Sequence, residues 1–111
     1  MNLPTGKASS QIGHAFQYSL EDAKLIDPDR YQRYVEQDNA GSKVTLAAKD
    51  QRDLIKALGQ ALELGLPCSE VIDEHHIFPP HFDGAPILSA LGIGPCTKAE
   101  AKKIVRKFKL L

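Results

Sequence analysis

Hydrophobic residues recur at helical spacing in four stretches of the chain. The first helix is predicted to run to about Leu20, and the second from Arg30 to Gln37, after the cap-and-proline pair Asp27-Pro28. The buried stripe of the first helix is predicted from residues that can share one face: Ile12, Ala15, Phe16 and Ser19.

The two later helices have the clearer boundaries. Asp50 is a typical N-cap, apolar residues then recur from Leu54 to Leu64, and Gly65 and Pro67 end the pattern. Thr97 with Glu100 forms a capping box that opens a last helix over 98–107. The residues predicted to face inward on the last helix are Ala101, Ile104, Val105 and Phe108.

Three apolar segments read as strands: 43–47, 68–72 and 87–93. The strand–helix–strand order over 43–72 favours a right-handed crossover and a parallel pair. We therefore predict an α/β fold of three layers, with a small mixed sheet of three to four strands and helices on both faces. Three strands make a thin sheet for a domain of this kind, which indicates that an N-terminal strand is missing.

Composition fits one globular domain over residues 1–111, with 42% hydrophobic and 25% charged residues. The formal net charge is zero, so contact with a nucleic acid must come from a local patch rather than from a global positive field.

Two cysteines, Cys68 and Cys96, lie too far apart in sequence for a zinc ribbon or a redox pair. Inert thiols in a reducing compartment are the favoured interpretation. No segment has the pattern of a signal peptide or the length of a membrane span, so we expect a cytoplasmic protein without a membrane partner.

Lys7, Gln11 and His14 are spaced i, i+4 and i+7, so they can line one stripe of the first helix. The free N–H groups of the helix start suit a phosphate, and a lysine there can bind one or stabilise developing negative charge. Taken singly, each residue also fits an ordinary role: a solvated lysine, a surface glutamine and a hydrogen-bonded histidine.

Segment 73–85 is a predicted loop, rich in His, Pro, Asp and Gly. Asp73, at the end of a strand, can orient or deprotonate a water molecule, or simply form a turn. The loop also holds enough nitrogen and oxygen ligands for a metal ion: Asp73, Glu74, His75, His76, His81 and Asp83. We favour a substrate loop in which Phe78 and Phe82 stack or pack, because adjacent histidines point apart and no helical histidine pair is present.

A cluster of basic residues lies in the last helix and the tail. It can follow an RNA backbone, or it can reflect the preference for cations near a helix C-terminus, and both interpretations stay open. Its members are Lys98, Lys102, Lys103, Arg106, Lys107 and Lys109.

Several segments together resemble the archaeal/eukaryotic-type peptidyl-tRNA hydrolase family. The run from Gly6 to Ala15 is similar to the family's Gly-Lys-x-Ala-Ala-Gln-x-x-His-Ala, and the run 92–95 to its Ala-Ile-Gly-Pro turn. The ending 107–111 resembles His-Leu-Lys-Leu-Leu, and the segments 64–67 and 71–73 match a Leu-Gly-Leu-Pro and a strand that ends in Asp. The matches occur in order along nearly the whole chain.

The resemblance implies a four-stranded mixed sheet and hydrolysis of the ester that joins a peptide to the tRNA 3′ end, without a cofactor. It also implies a homodimer. The catalytic residues that it implies are Asp73, Lys7 and His14. The substrate-binding residues that it implies are Gln11 and Ser89, and the family usually has Thr at the position of Ser89. From the basic cluster we add Lys102, Lys103 and Arg106 as substrate-binding candidates.

Two features depart from the family. The family has a strand directly before the Gly-Lys motif, and we expect the domain as given to lack it, since Gly6 lies five residues after Met1. Either the sequence begins inside the domain or the strand is absent, and an absent strand would expose sheet edges and favour self-association. The loop 74–83 is longer than the family's Ala-Gly-Arg-Thr-Gln. The alternative hypothesis is therefore a relative that binds or regulates without catalysing the reaction, or that acts on an altered substrate. A metal-dependent hydrolase built on the His loop is a third.

Overall fold

The computed structural model describes residues 5–37, 41–73, 77–78, 82–83 and 87–110. Four helices and six strands occur along these ranges. In chain order they are α1 (Thr5–Ile26), α2 (Pro28–Val35), β1 (Leu46–Ala47), α3 (Gln51–Glu63), β2 (Cys68–Asp73), β3 (Ile77–Phe78), β4 (Phe82–Asp83), β5 (Ile87–Ile93), α4 (Lys98–Val105) and β6 (Lys109–Leu110).

The predicted α/β class with helices on both faces of a sheet is confirmed, and the central layer is the antiparallel pair β2–β5. α1 packs on one face, where Gly92 lies against Ala15. Leu91 and Ile93, which alternate with Gly92 along β5, point to the other face. There they pack against a core cluster from α3, α4 and the segment between α3 and β2: Ala57, Ala61, Leu66 and Ile104.

The helix starts follow the capping signals in the sequence. The Asp27 side chain accepts a hydrogen bond from the Arg30 N–H, the Asp50 side chain accepts one from the Asp53 N–H, and Thr97 with Glu100 completes a capping box. α1 continues to Ile26, beyond the predicted end near Leu20. No breaker occurs before Asp27, whose backbone is restricted by the following proline.

The strands pair differently from the sequence-based prediction. The segment 43–47 was predicted to lie parallel to 68–72, but β1 forms an antiparallel pair with β6, and β2 forms one with β5. Each of these pairs is two-stranded within the described ranges. The predicted loop 73–85 contains a further antiparallel pair, β3–β4. The described pairings are all antiparallel, so the mixed character of the sheet does not occur in this part of the chain.

Predicted inward positions on the helices are buried where they meet the sheet. Ala15 and Ser19 of α1 are buried, and Ile104 of α4 is fully buried. Within the described ranges, no helix combines the length and the apolar character that crossing a membrane requires.

Candidate active site

Three candidate residues lie on the first half of α1. Lys7, Gln11 and His14 fall within one helical stripe, because positions i, i+4 and i+7 are separated by less than a quarter turn. Gln11 is half-buried and His14 is exposed. Since no acidic residue lies in the first turn of α1, nothing there opposes the attraction of the helix start for an anion.

α1 runs antiparallel to β2, the strand that ends at Asp73. The Cys68 N–H, at the start of β2, donates a hydrogen bond to Asp22 Oδ2 at 3.2 Å. From Cys68 to Asp73 the strand advances by roughly 16 Å, at ~3.3 Å per residue. The same distance along α1 is roughly eleven residues. The end of β2 therefore lies alongside the first half of α1.

Ser89 lies in the sheet between the two helix layers. It is buried, and its hydroxyl donates a hydrogen bond to the Val71 carbonyl at 3.0 Å. The bond spans the register shift of the β2–β5 pair between Val71 and Ile72. Ser89 therefore bonds the two strands together two residues before Asp73.

An aromatic pair beside the stripe was not predicted from the sequence. His14 and Tyr18 stack with ring centroids 5.6 Å apart and an interplanar angle of 11°. The i, i+4 spacing on one helix was the signal that could have predicted it. The pair holds the exposed His14 ring against a neighbour on its own helix.

The Gly-Ile-Gly-Pro turn fastens the end of β5 to α1. A Cβ at Gly92 would lie 2.2 Å from the Ala15 carbonyl oxygen, so this close approach needs glycine. Gly94 has a φ of 110°. Its carbonyl accepts a hydrogen bond from the Ser19 hydroxyl, and its N–H donates to the Pro67 carbonyl at 2.7 Å. These contacts fix the position of α1 relative to the sheet.

Arg30 of α2 links the two helix layers at the end of the sheet where the Gly-Ile-Gly-Pro turn lies. Its guanidinium donates to both carboxylate oxygens of Glu100, at 2.8 and 2.9 Å, to the Pro95 carbonyl at 3.1 Å and to Asp27 at 3.1 Å. These bonds hold the pKa of Glu100 at about 2, with a contribution from the Thr97 N–H, and they raise the pKa of Arg30. The charge of Arg30 is therefore engaged within the fold.

The basic cluster lies away from the α1 stripe. Lys102, Lys103 and Arg106 are exposed on and just after α4. α4 packs on the face of β5 opposite to α1, so the structure does not bring these cations together with Lys7, Gln11 and His14.

Neither the thiols nor a metal site adds chemistry to the described part of the chain. Burial is the main cause that raises the pKa of the Cys68 and Cys96 thiols, which favours the unreactive protonated form. Among the described residues, no group of three His, Cys, Asp or Glu can hold a metal ion. The loop ligands Glu74, His75, His76 and His81 lie outside the described residues, as do the side chains of Asp73, Asp83, Phe78 and Phe82.

The comparisons with known proteins agree with the motifs. A search of curated proteins gave no match. The model of one protein family, described as peptidyl-tRNA hydrolase PTH2, matches residues 1–111, the whole chain. The matched residues therefore include the stripe of Lys7, Gln11 and His14 on α1, the strand that ends at Asp73 and the Gly-Ile-Gly-Pro turn. The chain therefore belongs to the peptidyl-tRNA hydrolase PTH2 family.

Proposed function

We propose that this chain hydrolyses the ester bond of peptidyl-tRNA and releases free peptide and free tRNA. The observation that supports the proposal is the antiparallel packing of α1 on β2, which directs the end of β2, at Asp73, towards the first half of α1. Ester hydrolysis requires a base and a group that stabilises negative charge, and Asp73 and Lys7 are the proposed pair. Family membership supports the reaction class.

In the proposed mechanism, Asp73 takes a proton from a water molecule as the water oxygen attacks the ester carbonyl. Lys7 stabilises the negative charge that develops on the carbonyl oxygen, or holds the adjacent phosphate at the start of α1. The tetrahedral intermediate collapses, the bond to the ribose oxygen breaks, and that oxygen takes up a proton. His14 is the proposed donor of this proton, because it lies on the same stripe.

The remaining residues bind substrate or hold the site in place. Gln11 contacts the ester end of the tRNA, and Ser89 positions the end of β2 through its bond to Val71. Lys102, Lys103 and Arg106 contact tRNA phosphates at a distance from the ester, which the size of a tRNA permits. A cytoplasmic role in translation follows from this substrate.

The test is release of the peptide from an N-blocked aminoacyl-tRNA. We expect Asp73→Asn to lower kcat by roughly 10²–10⁴, because the base is lost while the shape is kept. We expect Lys7→Ala to lower kcat/KM by roughly 10–10³. The matched controls are Lys56→Ala and Glu63→Gln on α3, whose side chains are exposed and should leave turnover unchanged.

Two further results separate the alternatives. Turnover should persist after chelation; loss of turnover with EDTA, together with loss of bound metal in a His75/His76/His81 triple alanine variant, would favour the metal-dependent hydrolase. If the folded protein binds tRNA but shows no turnover, the chain is a binding or regulatory relative. The longer loop over 74–83 is the feature that favours this second function.

The homodimer that the resemblance implies is also a proposal. Ile55 and Leu62, one i, i+7 pair on α3, are 56% and 63% exposed, which supports an apolar contact between two copies on that helix. Sedimentation velocity at micromolar concentration measures the association, and a monomer would contradict it.

A further inference from the structure

His14 and Tyr18 form a stacked pair of rings on an exposed flank of α1. Their ring centroids are 5.6 Å apart, and their planes differ by 11°. Both side chains are exposed, and 39% of Tyr18 is accessible to solvent. Stacked carbon atoms touch at ~3.5–4.0 Å, so two parallel rings with this larger centroid separation are offset sideways. His14 therefore covers only part of the Tyr18 ring and leaves ring surface for a further planar group.

Tyr18 continues the stripe of candidate residues on α1. It lies eleven positions after Lys7, which is close to three full helical turns, so the two positions share one direction. Asp22, one turn after Tyr18, accepts the hydrogen bond from the Cys68 N–H, so this flank of α1 lies beside β2. The stripe runs for roughly 16 Å from Lys7 to Tyr18, which leaves its far end for a part of the substrate other than the ester.

The three tyrosines of the chain differ in what lies over their rings. The Lys24 ammonium lies 5.6 Å from the ring centroid of Tyr31. The Lys43 ammonium lies 5.7 Å from the ring centroid of Tyr34. In the part of the chain that the structure describes, no cation lies over Tyr18, and its hydroxyl makes no hydrogen bond. The Tyr18 ring is therefore the tyrosine surface that the described fold leaves available to a ligand.

A stacked pair of exposed rings matches the chemistry of an unpaired nucleobase. Proteins bind the bases of single-stranded RNA ends by stacking them on Tyr, His, Phe or Trp, because every base has a flat π-face. The acceptor end of a tRNA is such a single strand. In the proposed reaction, His14 gives a proton to the ribose oxygen of the terminal nucleotide. The base is attached to the same ribose, and the Tyr18 ring is the aromatic surface beside His14.

We propose that Tyr18 and its stacked partner His14 form a platform on which the unpaired 3′-terminal base of peptidyl-tRNA stacks. This role rests on the proposed function, because it takes the position of the ribose from the reaction of His14. The base lies on the part of the Tyr18 ring that His14 leaves uncovered. Stacking there adds affinity for the nucleotide that bears the ester and holds its ribose next to His14.

Binding is measured with a probe that is not cleaved, a deacylated tRNA that carries 2-aminopurine as its terminal base. The fluorescence of 2-aminopurine falls when the base stacks, so titration with the intact protein should quench it saturably. Tyr18→Leu keeps the apolar bulk and removes the ring, so its Kd should be roughly tenfold weaker. Tyr18→Phe keeps the ring and should keep the parent Kd. Gln17→Ala is the matched control, because Gln17 is exposed on α1 and points away from the stripe.

Turnover separates stacking of the base from positioning of His14. Two short substrates carry the same N-blocked aminoacyl ester, one on the trinucleotide CCA and one on a trinucleotide whose terminal nucleotide lacks its base. Tyr18→Leu should lower kcat/KM on the complete substrate by roughly tenfold and leave the baseless substrate unchanged, because the lost contact exists only with the base. The wild type should prefer the complete substrate by a similar factor.

Three results would overturn the platform. The terminal 2-aminopurine is not quenched, or Tyr18→Leu quenches it with the Kd of the parent. Tyr18→Leu lowers turnover of both substrates equally, which makes Tyr18 a positioning residue for His14 alone. Tyr18→Phe binds as weakly as Tyr18→Leu, which assigns the contact to the hydroxyl and not to the ring. Quenching that depends on the Tyr18 ring, in a protein without turnover, would support the platform and refute the proposed hydrolysis.

Discussion

The two edges of β5 have opposite environments. One edge pairs with β2 in a register that runs from Cys68↔Ile93 to Asp73↔Ile87. The Ser89 hydroxyl adds a further bond to Val71 across that edge. The other edge borders a cavity of about 790 Å³, with β1 on its far side. The same helices, α1 on one face and α3 with α4 on the other, extend over both edges.

This difference shows what the helix patterns specify. The apolar faces of α1 and α4 are wide enough for a layer broader than the β2–β5 pair, because residues such as Phe16 and Val105 line the cavity as well. The paired edge is closed by hydrogen bonds and by contact with α1 at Gly92. At the open edge, the covering side chains are present, and within the described ranges no strand pairs with β5 there. Burial of the helix faces alone therefore does not close a sheet.

The largest effect that we expect on stability concerns the closed edge. Gly92→Ala adds a Cβ that would lie 2.2 Å from the Ala15 carbonyl oxygen and 2.8 Å from Ser19 Cβ. The backbone of α1 must move, so we expect a loss of about 2–3 kcal/mol in the free energy of unfolding. Urea denaturation followed by circular dichroism measures it.

The control for this variant is Gly59→Ala, on α3. A Cβ at Gly59 meets nothing within 4 Å, so alanine should raise stability by about 0.5–1 kcal/mol through its better helix propensity. The family's Ala-Ile-Gly-Pro turn has alanine at the position of Gly92, so the effect of Gly92→Ala directly tests the close approach of α1 in this chain. A stable Gly92→Ala variant would show that α1 lies farther from β5 in solution.

Local signals predicted the helices better than they predicted the sheet. Asp27, Asp50 and Thr97 mark three helix starts, because a capping side chain bonds to backbone three residues away. The predicted partner strand of the segment 43–47 was wrong, because strand pairing depends on contacts between residues that are far apart in sequence. β1 and β6 lie more than sixty residues apart in sequence, and no local pattern encodes their pairing.

The same limit applies to the site. The stripe of Lys7, Gln11 and His14 follows from helical spacing alone, so the sequence was enough to predict it. The hydrogen bond from Ser89 to Val71 and the pairing of Arg30 with Glu100 join different elements, and neither has a local signature. The roles of Lys7 and Asp73 remain predictions that the turnover assay tests.

An effect of intermediate size concerns the ion pair that ties the helix layers together beside the cavity. Glu100→Gln replaces the carboxylate that Arg30 contacts, so we expect a loss of about 1 kcal/mol at pH 7. The pKa of Glu100 is lowered on folding, from 4.5 to about 2. Its contribution is therefore complete above pH 4.5, and it is lost as the pH falls from there through 2.

Urea denaturation at a series of pH values checks this dependence. The stability difference between the wild type and Glu100→Gln should shrink as the solution is acidified, while Glu63→Gln should track the wild type throughout. Glu63 is exposed, and no hydrogen bond or ion pair of its side chain occurs in the described structure. A difference that is constant down to pH 2 would show that the pair with Arg30 does not form in solution.

The smallest effect concerns the open edge itself. Ala101→Leu enlarges a side chain that lines the cavity, so the added atoms have space and bury apolar surface. We expect the free energy of unfolding to stay the same or to rise by at most about 1 kcal/mol.

Ala61→Leu makes the same change in the core cluster, where Ala61 is fully buried and does not line the cavity. There the larger side chain should cost about 1–3 kcal/mol, because a packed interior has no room for it. Leucine and alanine have similar helix propensities, so the contrast between the two variants reports on space alone. If both variants lose stability equally, the helix layers close over the second edge of β5 in solution, and the two edges no longer differ.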